Sequence, residues 1–286
     1  MRILIIGARG MLGSDLVAEW TTDEFDEIVP ASSQDADIRD ITQVRKLVSK
    51  SRPDWIVLAA AYTDVDASER NPDLAFAVNR DGAKNVSLAS HEFGAKLCYL
   101  STDYLYDGQS KRPYQISDPI RALNIYGQSK AEGEAAVQEN AGHWLIVRTS
   151  WLFGASRPSF PENILRAADT QPEVKVVADQ TGSPTYTRDL ARAICQLIHK
   201  DCRGILNVTN AGSCSRFEFA REILRQAGRE TRLKPISSAE AARTAKRPAY
   251  SVLSPDALLA HGISMRPWQE TIPPYLEDLR RKGKIR

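Results

Sequence analysis

Met1-Arg-Ile-Leu-Ile-Ile-Gly7-Ala-Arg-Gly10-Met-Leu-Gly13 decides the fold. A short apolar run ends in glycines spaced G-x-x-G-x-x-G, and residues 11–20 then read as a helix. A bare glycine pattern means little, but strand, glycine loop and helix in that order form a dinucleotide cradle. Gly7 would make the tight turn, Gly10 let the backbone approach a pyrophosphate, and Gly13 allow helix and strand to pack closely. The phosphate would rest on the helix N-terminus. The apolar run is too short for a signal peptide, so it reads as a first strand.

Working outward, further short apolar runs at residues 27–29, 55–59, 97–100 and 144–147 read as buried strands. Helix-like stretches at 11–20, 41–50, 72–92 and 129–140 alternate with them. Right-handed crossovers then give an α/β fold with a doubly wound parallel sheet. From about residue 150 the pattern changes to aromatic and proline-rich loops, including Trp151-Leu-Phe153 and Gly182-Ser-Pro184. We therefore expect a Rossmann domain over 1–150 and a second, smaller α/β domain over 151–286 that mainly binds substrate. Segments near 175–200 are the ones expected to return to the first domain. The basic stretch 280–286 reads as a frayed, solvated terminus.

The chain has 286 residues, with Lys plus Arg (38) nearly balancing Asp plus Glu (36). A formal charge of +2 gives no sequence-wide reason to expect nucleic acid or a membrane surface, and leaves room for a small anionic substrate. No stretch approaches the roughly 20 apolar residues that would span a bilayer. Cys98, Cys195, Cys202 and Cys214 sit at no zinc-ligand or CxxC spacing, which reads as reduced thiols of a cytoplasmic protein. No catalytic metal is expected.

NAD sites usually carry an acid at the end of the second strand, about 20 residues past the loop. Here that place reads Pro30-Ala-Ser-Ser33, whereas Arg9 stands inside the loop, where its fork could grip a 2′-phosphate. The expectation is NADPH, with NADH as the alternative. Asp37-Ile38 fits contact with the adenine edge, and Asp37 fits equally well as the cap of the helix starting near Ile41.

Tyr126-Gly-Gln-Ser-Lys130 carries the chemistry. If the stretch is helical, the i,i+4 spacing puts phenol and ammonium on one face. A cation beside a phenol favours phenolate and lowers its pKa, which suits a group that protonates an oxygen as hydride reaches the neighbouring carbon.

The glycine loop, Leu58-Ala-Ala-Ala61, Asn79-Arg-Asp-Gly-Ala-Lys-Asn85, Ser101-Thr-Asp-Tyr104 and Tyr126-x-x-x-Lys130 together resemble an extended short-chain dehydrogenase/reductase. Ser101-Thr-Asp-Tyr-Leu-Tyr-Asp-Gly108, Arg148-Thr-Ser-Trp-Leu-Phe153, Asp179-Gln-Thr-Gly-Ser-Pro-Thr185 and Arg247-Pro-Ala-Tyr-Ser-Val-Leu-Ser254 narrow the resemblance to the dTDP-4-dehydrorhamnose reductase family. It spans nearly the whole chain. The resemblance implies Thr102 as hydrogen-bond donor to the substrate carbonyl, Tyr126 as proton donor, and Lys130 on the nicotinamide ribose. Met11, Leu12, Ser32, Ala59, Ala60, Ala61 and Thr63 join Gly7, Arg9, Gly10, Gly13, Asp37 and Ile38 as expected cofactor contacts. Asp103 and Trp151 would meet the substrate beside Thr102 and Tyr126, and Arg247 its diphosphate. Tyr62 stands where the family more often has histidine.

Related sugar 4,6-dehydratases carry an acid right after the Thr-Asp pair, where this chain has Tyr104. Epimerase-reductases carry a cysteine after the catalytic hydroxyl residue, where this chain has Asp103. Reduction remains. The expected reaction is reduction of the C4 ketone of dTDP-4-dehydro-L-rhamnose to dTDP-L-rhamnose, with a dTDP-sugar as partner and a monomer or homodimer as the assembly. Two alternatives stand beside it: reduction of another 4-keto-6-deoxy nucleotide-sugar, such as a talose-forming one, and a non-catalytic nucleotide-binding regulatory subunit.

Overall fold

The computed structural model describes residues 1–21 and 26–285. The chain opens β1 (Arg2–Ile6), α1 (Met11–Trp20), β2 (Glu27–Ala31), α2 (Ile41–Ser51), β3 (Trp55–Leu58), α3 (Val65–Arg70) and α4 (Pro72–Phe76). A π turn, Ala77–Asp81, joins α4 to α5 (Gly82–Glu92), and β4 (Lys96–Thr102), α6 (Ile125–Asn140) and β5 (Trp144–Thr149) follow. Beyond these come β6 (Leu152–Phe153), α7 (Phe160–Thr170), β7 (Glu173–Val177), β8 (Thr181–Gly182), β9 (Thr185–Tyr186), α8 (Thr187–His199) and β10 (Gly204–Asn207). The last elements are β11 (Cys214–Ser215), α9 (Arg216–Gln226), β12 (Arg232–Ile236), α10 (Ser238–Ala241), α11 (Asp256–Ala260) and α12 (Ile272–Arg281).

Six strands form one parallel sheet in the order β10-β5-β4-β3-β1-β2. Successive side chains of a strand point to opposite faces, and here both faces are apolar. Ile3, Ile5, Trp55, Val57, Cys98, Leu100, Leu145 and Val147 pack under α1 and α8. Leu4, Ile6, Ile56, Leu58, Leu97, Tyr99 and Ile146 pack under α2, α5 and α6. This is the doubly wound Rossmann arrangement. Because β2 lies on one side of β1 and β3 on the other, the strand order reverses beside β1, and a crevice opens there at the carboxyl ends of the strands. The glycine loop and Ala59-Ala-Ala61 border that crevice.

The second strand runs two residues past the expected run and includes Pro30. At the sheet edge proline forfeits no ladder bond to a further strand. The single helix expected over 72–92 is interrupted by the π turn, which serves the site. The carbonyl of Asn79 accepts from the Tyr99 hydroxyl (3.2 Å), while its side chain accepts from the Tyr62 amide (2.8 Å) and donates to the Tyr62 carbonyl (3.0 Å). The 61–63 backbone is thereby pinned at the crevice.

After residue 150 the chain builds a second apolar cluster from β6, α7, β7, β9, α9 and α12, centred on Phe153, Tyr186, Phe219 and Tyr275. Between these elements it comes back to the sheet, with α8 packed on α1 and β10 beside β5. The Trp20 indole donates to the Ala191 carbonyl at 2.9 Å across that packing. The expected frayed terminus is a correction. Residues up to Arg281 are helical, Lys282 bonds Ser156 (3.1 Å), Lys284 pairs with Glu162 (2.9 Å) and Ile285 packs on the second cluster; Arg286 lies outside the described residues. Cys98, Cys202 and Cys214 are buried free thiols. No helix of the described residues is long and apolar enough to cross a membrane.

Candidate active site

Three adjoining clefts run along the carboxyl edge of the sheet. The first, about 900 Å³, is bordered by Gly7, Arg9, Gly10, Ser32, Asp37, Ile38 and Ala59-Ala-Ala61. The middle one shares Gly10, Ala59 and Ala61 with it and adds Met11, Leu12, Thr63, Thr102, Asp103, Tyr126, Lys130 and Trp151. The third shares Thr63, Tyr104 and Arg216 with the middle one and contains Arg247. The sequence-derived residues are thus brought to one continuous surface, except Gly13, which lies beneath the loop.

The loop geometry explains its glycines. Gly7 has φ +95°, a conformation costly for any side chain, and a Cβ there would meet the Ala60 nitrogen at 2.6 Å. A Cβ on Gly13 would lie 2.0 Å from the Gly7 carbonyl oxygen. Gly10 caps α1 without a side chain, so the first amides of the helix face the crevice. An uncapped helix N-terminus beneath a cradle that tolerates no side chain fits the pyrophosphate of a dinucleotide.

At the far end of the first cleft the Arg9 guanidinium bonds Gln34, and Arg39 and Arg157 stand beside it. Arg157 also donates to the Arg9 carbonyl at 3.0 and 3.1 Å, which braces the loop. Asp35 takes the Ser32 amide and hydroxyl (2.8 and 2.9 Å), and Asp37 is gripped by Arg39. The capping role open to Asp37 belongs instead to Asp40, whose carboxylate accepts from the Thr42 and Gln43 amides.

In the middle cleft α6 carries Tyr126 in its first turn and Lys130 one turn on, both inside the helix. Asn124 caps it, accepting from the Gly127 amide at 2.8 Å. Thr102 ends β4, and its hydroxyl donates to Asp103 (3.2 Å) and accepts from the Tyr104 amide (3.2 Å). Tyr104 meets Tyr126 edge to face at 5.7 Å. The buried Lys130 ammonium donates to the Leu100 carbonyl (2.6 Å) and lies 3.9 Å from the Tyr99 ring centre. Burial lowers its pKa to about 7, against the upward pull of Glu134.

The expected lowering of the Tyr126 phenol by Lys130 is corrected here. Burial pushes the phenol above its ordinary value, and the opposing influence is the hydrogen bond with Thr102. Burial also raises the Asp103 carboxyl, to about 6, while the Ser251 hydroxyl and then Arg216 favour its charged form. Among the described residues the Asp103 Oδ2 has no partner at hydrogen-bond geometry, with the Ser251 hydroxyl as its polar neighbour.

Trp151 adopts φ +46°, a genuine outlier for a bulky residue. Its indole lies against Gly182, where a Cβ would come within 2.4 Å, and its ring is covered by the Arg216 guanidinium at 3.5 Å. The open flat wall expected of Trp151 is therefore already shared with an arginine. Arg247 forms an ion pair with Asp66 (2.8 Å), which holds that carboxyl down at about 2. Sequence reading missed Arg39, Arg157 and Arg216. The first two belong to no motif. Arg216 is the first helical residue inside the S-x-x-E capping box Ser215 to Glu218, a pattern that marks a helix start but not what that side chain faces.

The profile of the RmlD substrate binding domain matches residues 1–281. The chain is 38% identical over 277 residues to the spore coat polysaccharide biosynthesis protein SpsK of Bacillus subtilis, covering 97% of each chain. It is 37% identical to dTDP-4-dehydrorhamnose reductase of Mycobacterium tuberculosis, covering 95% of this chain and 91% of that one. The crystal structure of dTDP-4-dehydrorhamnose reductase from Bacillus anthracis in complex with NADP superposes with a TM-score of 0.94 at 40% identity, covering 97% of this chain and 99% of that one.

Proposed function

The chain belongs to the RmlD substrate binding domain family, and on that premise we propose that it reduces the C4 ketone of dTDP-4-dehydro-L-rhamnose to dTDP-L-rhamnose at the expense of NADPH. The observation that carries this reading is the junction of the clefts: a dinucleotide cradle and a cation-lined cleft meet over Thr102, Tyr126 and Lys130. Bound NADPH supplies the hydride. Arg9, Arg39 and Arg157 furnish the positive end that suits a 2′-phosphate, and the uncapped start of α1 suits the pyrophosphate.

In this reading the Thr102 hydroxyl turns its one hydrogen from Asp103 to the ketone oxygen, which Tyr126 holds with it. A phenol with a raised pKa starts the reaction protonated, which is the state a proton donor needs. As hydride reaches C4 the ketone oxygen takes the phenolic proton, and the phenolate left behind is stabilised by the hydrogen bond with Thr102. Lys130, anchored on the Leu100 carbonyl, presents its remaining protons towards the cofactor ribose. Asp103 accepts from a sugar hydroxyl through Oδ2. The lobe built on Phe153, Phe219 and Tyr275 closes the third cleft and houses the nucleotide.

We assign the enzyme to the cytoplasm, with the free thiols in keeping with a reducing compartment, and to a monomer or homodimer. The test is direct: with dTDP-4-dehydro-L-rhamnose and NADPH, loss of reduced-nicotinamide absorbance should match formation of dTDP-L-rhamnose by NMR. A product of the opposite C4 configuration would assign the talose-forming reaction, and no turnover would leave the nucleotide-binding regulatory role.

A further inference from the structure

We propose that Arg216 is the residue that reads the charge of the substrate's diphosphate. The inference rests on the reading of the site as a nucleoside diphosphate-sugar reductase. Several cations border the third cleft, and they are not equivalent. Arg70, Lys175 and Arg243 are exposed, so water screens them. Arg247 is half-buried but spends its charge on Asp66, gripping both carboxylate oxygens (3.2 and 2.8 Å). Arg216 is half-buried and lies over Trp151; its polar neighbours are the Tyr104 hydroxyl and the buried Asp103 carboxyl, and no carboxylate is within ion-pair distance of it among the described residues. It is also the cation common to the middle and third clefts, where the bond between sugar and diphosphate must pass.

The position is built. β11 pairs with β8, with Cys214 opposite Gly182 and Ser215 opposite Thr181, so the next residue is delivered back over the indole that rests on Gly182. The Arg216 amide donates to the Gln180 carbonyl (3.2 Å), and the capping box fixes the start of α9. The guanidinium sits 3.5 Å from the ring centre with the Tyr104 hydroxyl as one partner, and of its five N–H donors those that remain can meet a diphosphate oxygen. A neutral keto-sugar offers nothing that repays leaving this charge desolvated. The site therefore selects a sugar carrying a diphosphate, and Arg216 sets that selection while Arg247 positions the loop through Asp66.

Calorimetric binding of dTDP and of thymidine to the full chain tests this, with Arg216→Gln, Arg216→Lys and Arg247→Gln beside wild type and thermal unfolding as the check on folding. Arg216→Gln should weaken dTDP by about 10- to 100-fold and leave thymidine within a few-fold, because only the charged hydrogen bonds are lost. Arg216→Lys, which keeps the charge without the fork, should recover part of the loss. Equal weakening of dTDP and thymidine would make Arg216 a mere prop for Trp151 and overturn the assignment. So would an unchanged dTDP affinity, or a larger loss from Arg247→Gln. Failure of wild type to bind dTDP at all would instead bring down the reductase reading itself, and the proposal with it.

Discussion

Lys130 is docked on the carbonyl of Leu100, 2.6 Å away, and Leu100 lies two residues before Thr102 on the same strand. One main-chain oxygen thus ties α6 to β4 at the point where Tyr126 and Thr102 meet. The ammonium is buried, which lowers its pKa from 10.5 to about 7. Below about 7 both folded and unfolded chains hold the proton, and folding bears the full cost of the buried charge. Between the two values the folded chain has released a proton that the unfolded chain keeps, so stability rises with pH; above both it is level. The climb in Tm from pH 7 to 9 should therefore be steeper for wild type than for Lys130→Met, measured without cofactor. Parallel curves would show that Lys130 does not titrate in this window.

Tyr126→Phe removes the proton donor and keeps the ring against Tyr104. We expect kcat to fall by at least about 100-fold with NADPH affinity little changed. A kcat within a few-fold of wild type would take the proton-donor role away from Tyr126.

Arg9 tests the cofactor preference. Arg39 is committed to Asp37, whereas among the described residues Arg9 and Arg157 bond neutral groups, Gln34 and the Arg9 carbonyl, and of these two Arg9 stands in the glycine loop itself. Arg9→Ala should weaken NADPH by about 1.5–3 kcal/mol and leave NADH nearly untouched. Equal losses for the two cofactors would make Arg9 a general loop residue.

Gly13→Ala places a methyl 2.0 Å from the Gly7 carbonyl, a backbone atom that cannot swing aside. The loop must move away from the helix. We expect loss of dinucleotide binding together with destabilisation of about 1–3 kcal/mol, the usual cost of overpacking. Unchanged NADPH affinity would mean that the loop does not depend on that close contact.

The inner strands β1, β3, β4 and β5 were legible because they are buried on both faces and appear as apolar runs, whereas β10, a four-residue edge strand that opens on Gly204, was missed. Tyr126 and Lys130 were legible because helical spacing is a local rule. What escaped depends on the chain meeting itself at long range. Arg216 reaches Trp151 only because β11 pairs with β8. The phenol is governed by burial and Thr102 rather than by the lysine one turn away, since Lys130 turns to Leu100. The cap of α2 moved from Asp37 to Asp40 because Arg39 competes for the former. Two carboxylates three residues apart look alike until their partners are known.

The Oδ2 oxygen of Asp103 raises the question of whether the site also abstracts a carbon-bound proton. Epimerisation at C3 and C5 needs a base strong enough to make an enolate and an acid to return the proton from the opposite face. Asp103, with a pKa raised only to about 6, is ionised at neutral pH and is a weak base. The other titrating groups bordering the middle cleft are Tyr104, Tyr126, Lys130 and Arg216, and Lys130 is held by Leu100. Turnover in deuterated water should therefore place no enzyme-dependent deuterium at C3 or C5, after subtraction of the enzyme-free exchange. Label from 4-deuterated NADPH should appear at C4, because hydride goes to carbon while Tyr126 exchanges only an oxygen-bound proton. Solvent deuterium at C3 or C5 that disappears in Asp103→Asn would identify Asp103 as a carbon base, and an epimerase-reductase would replace the simple reductase.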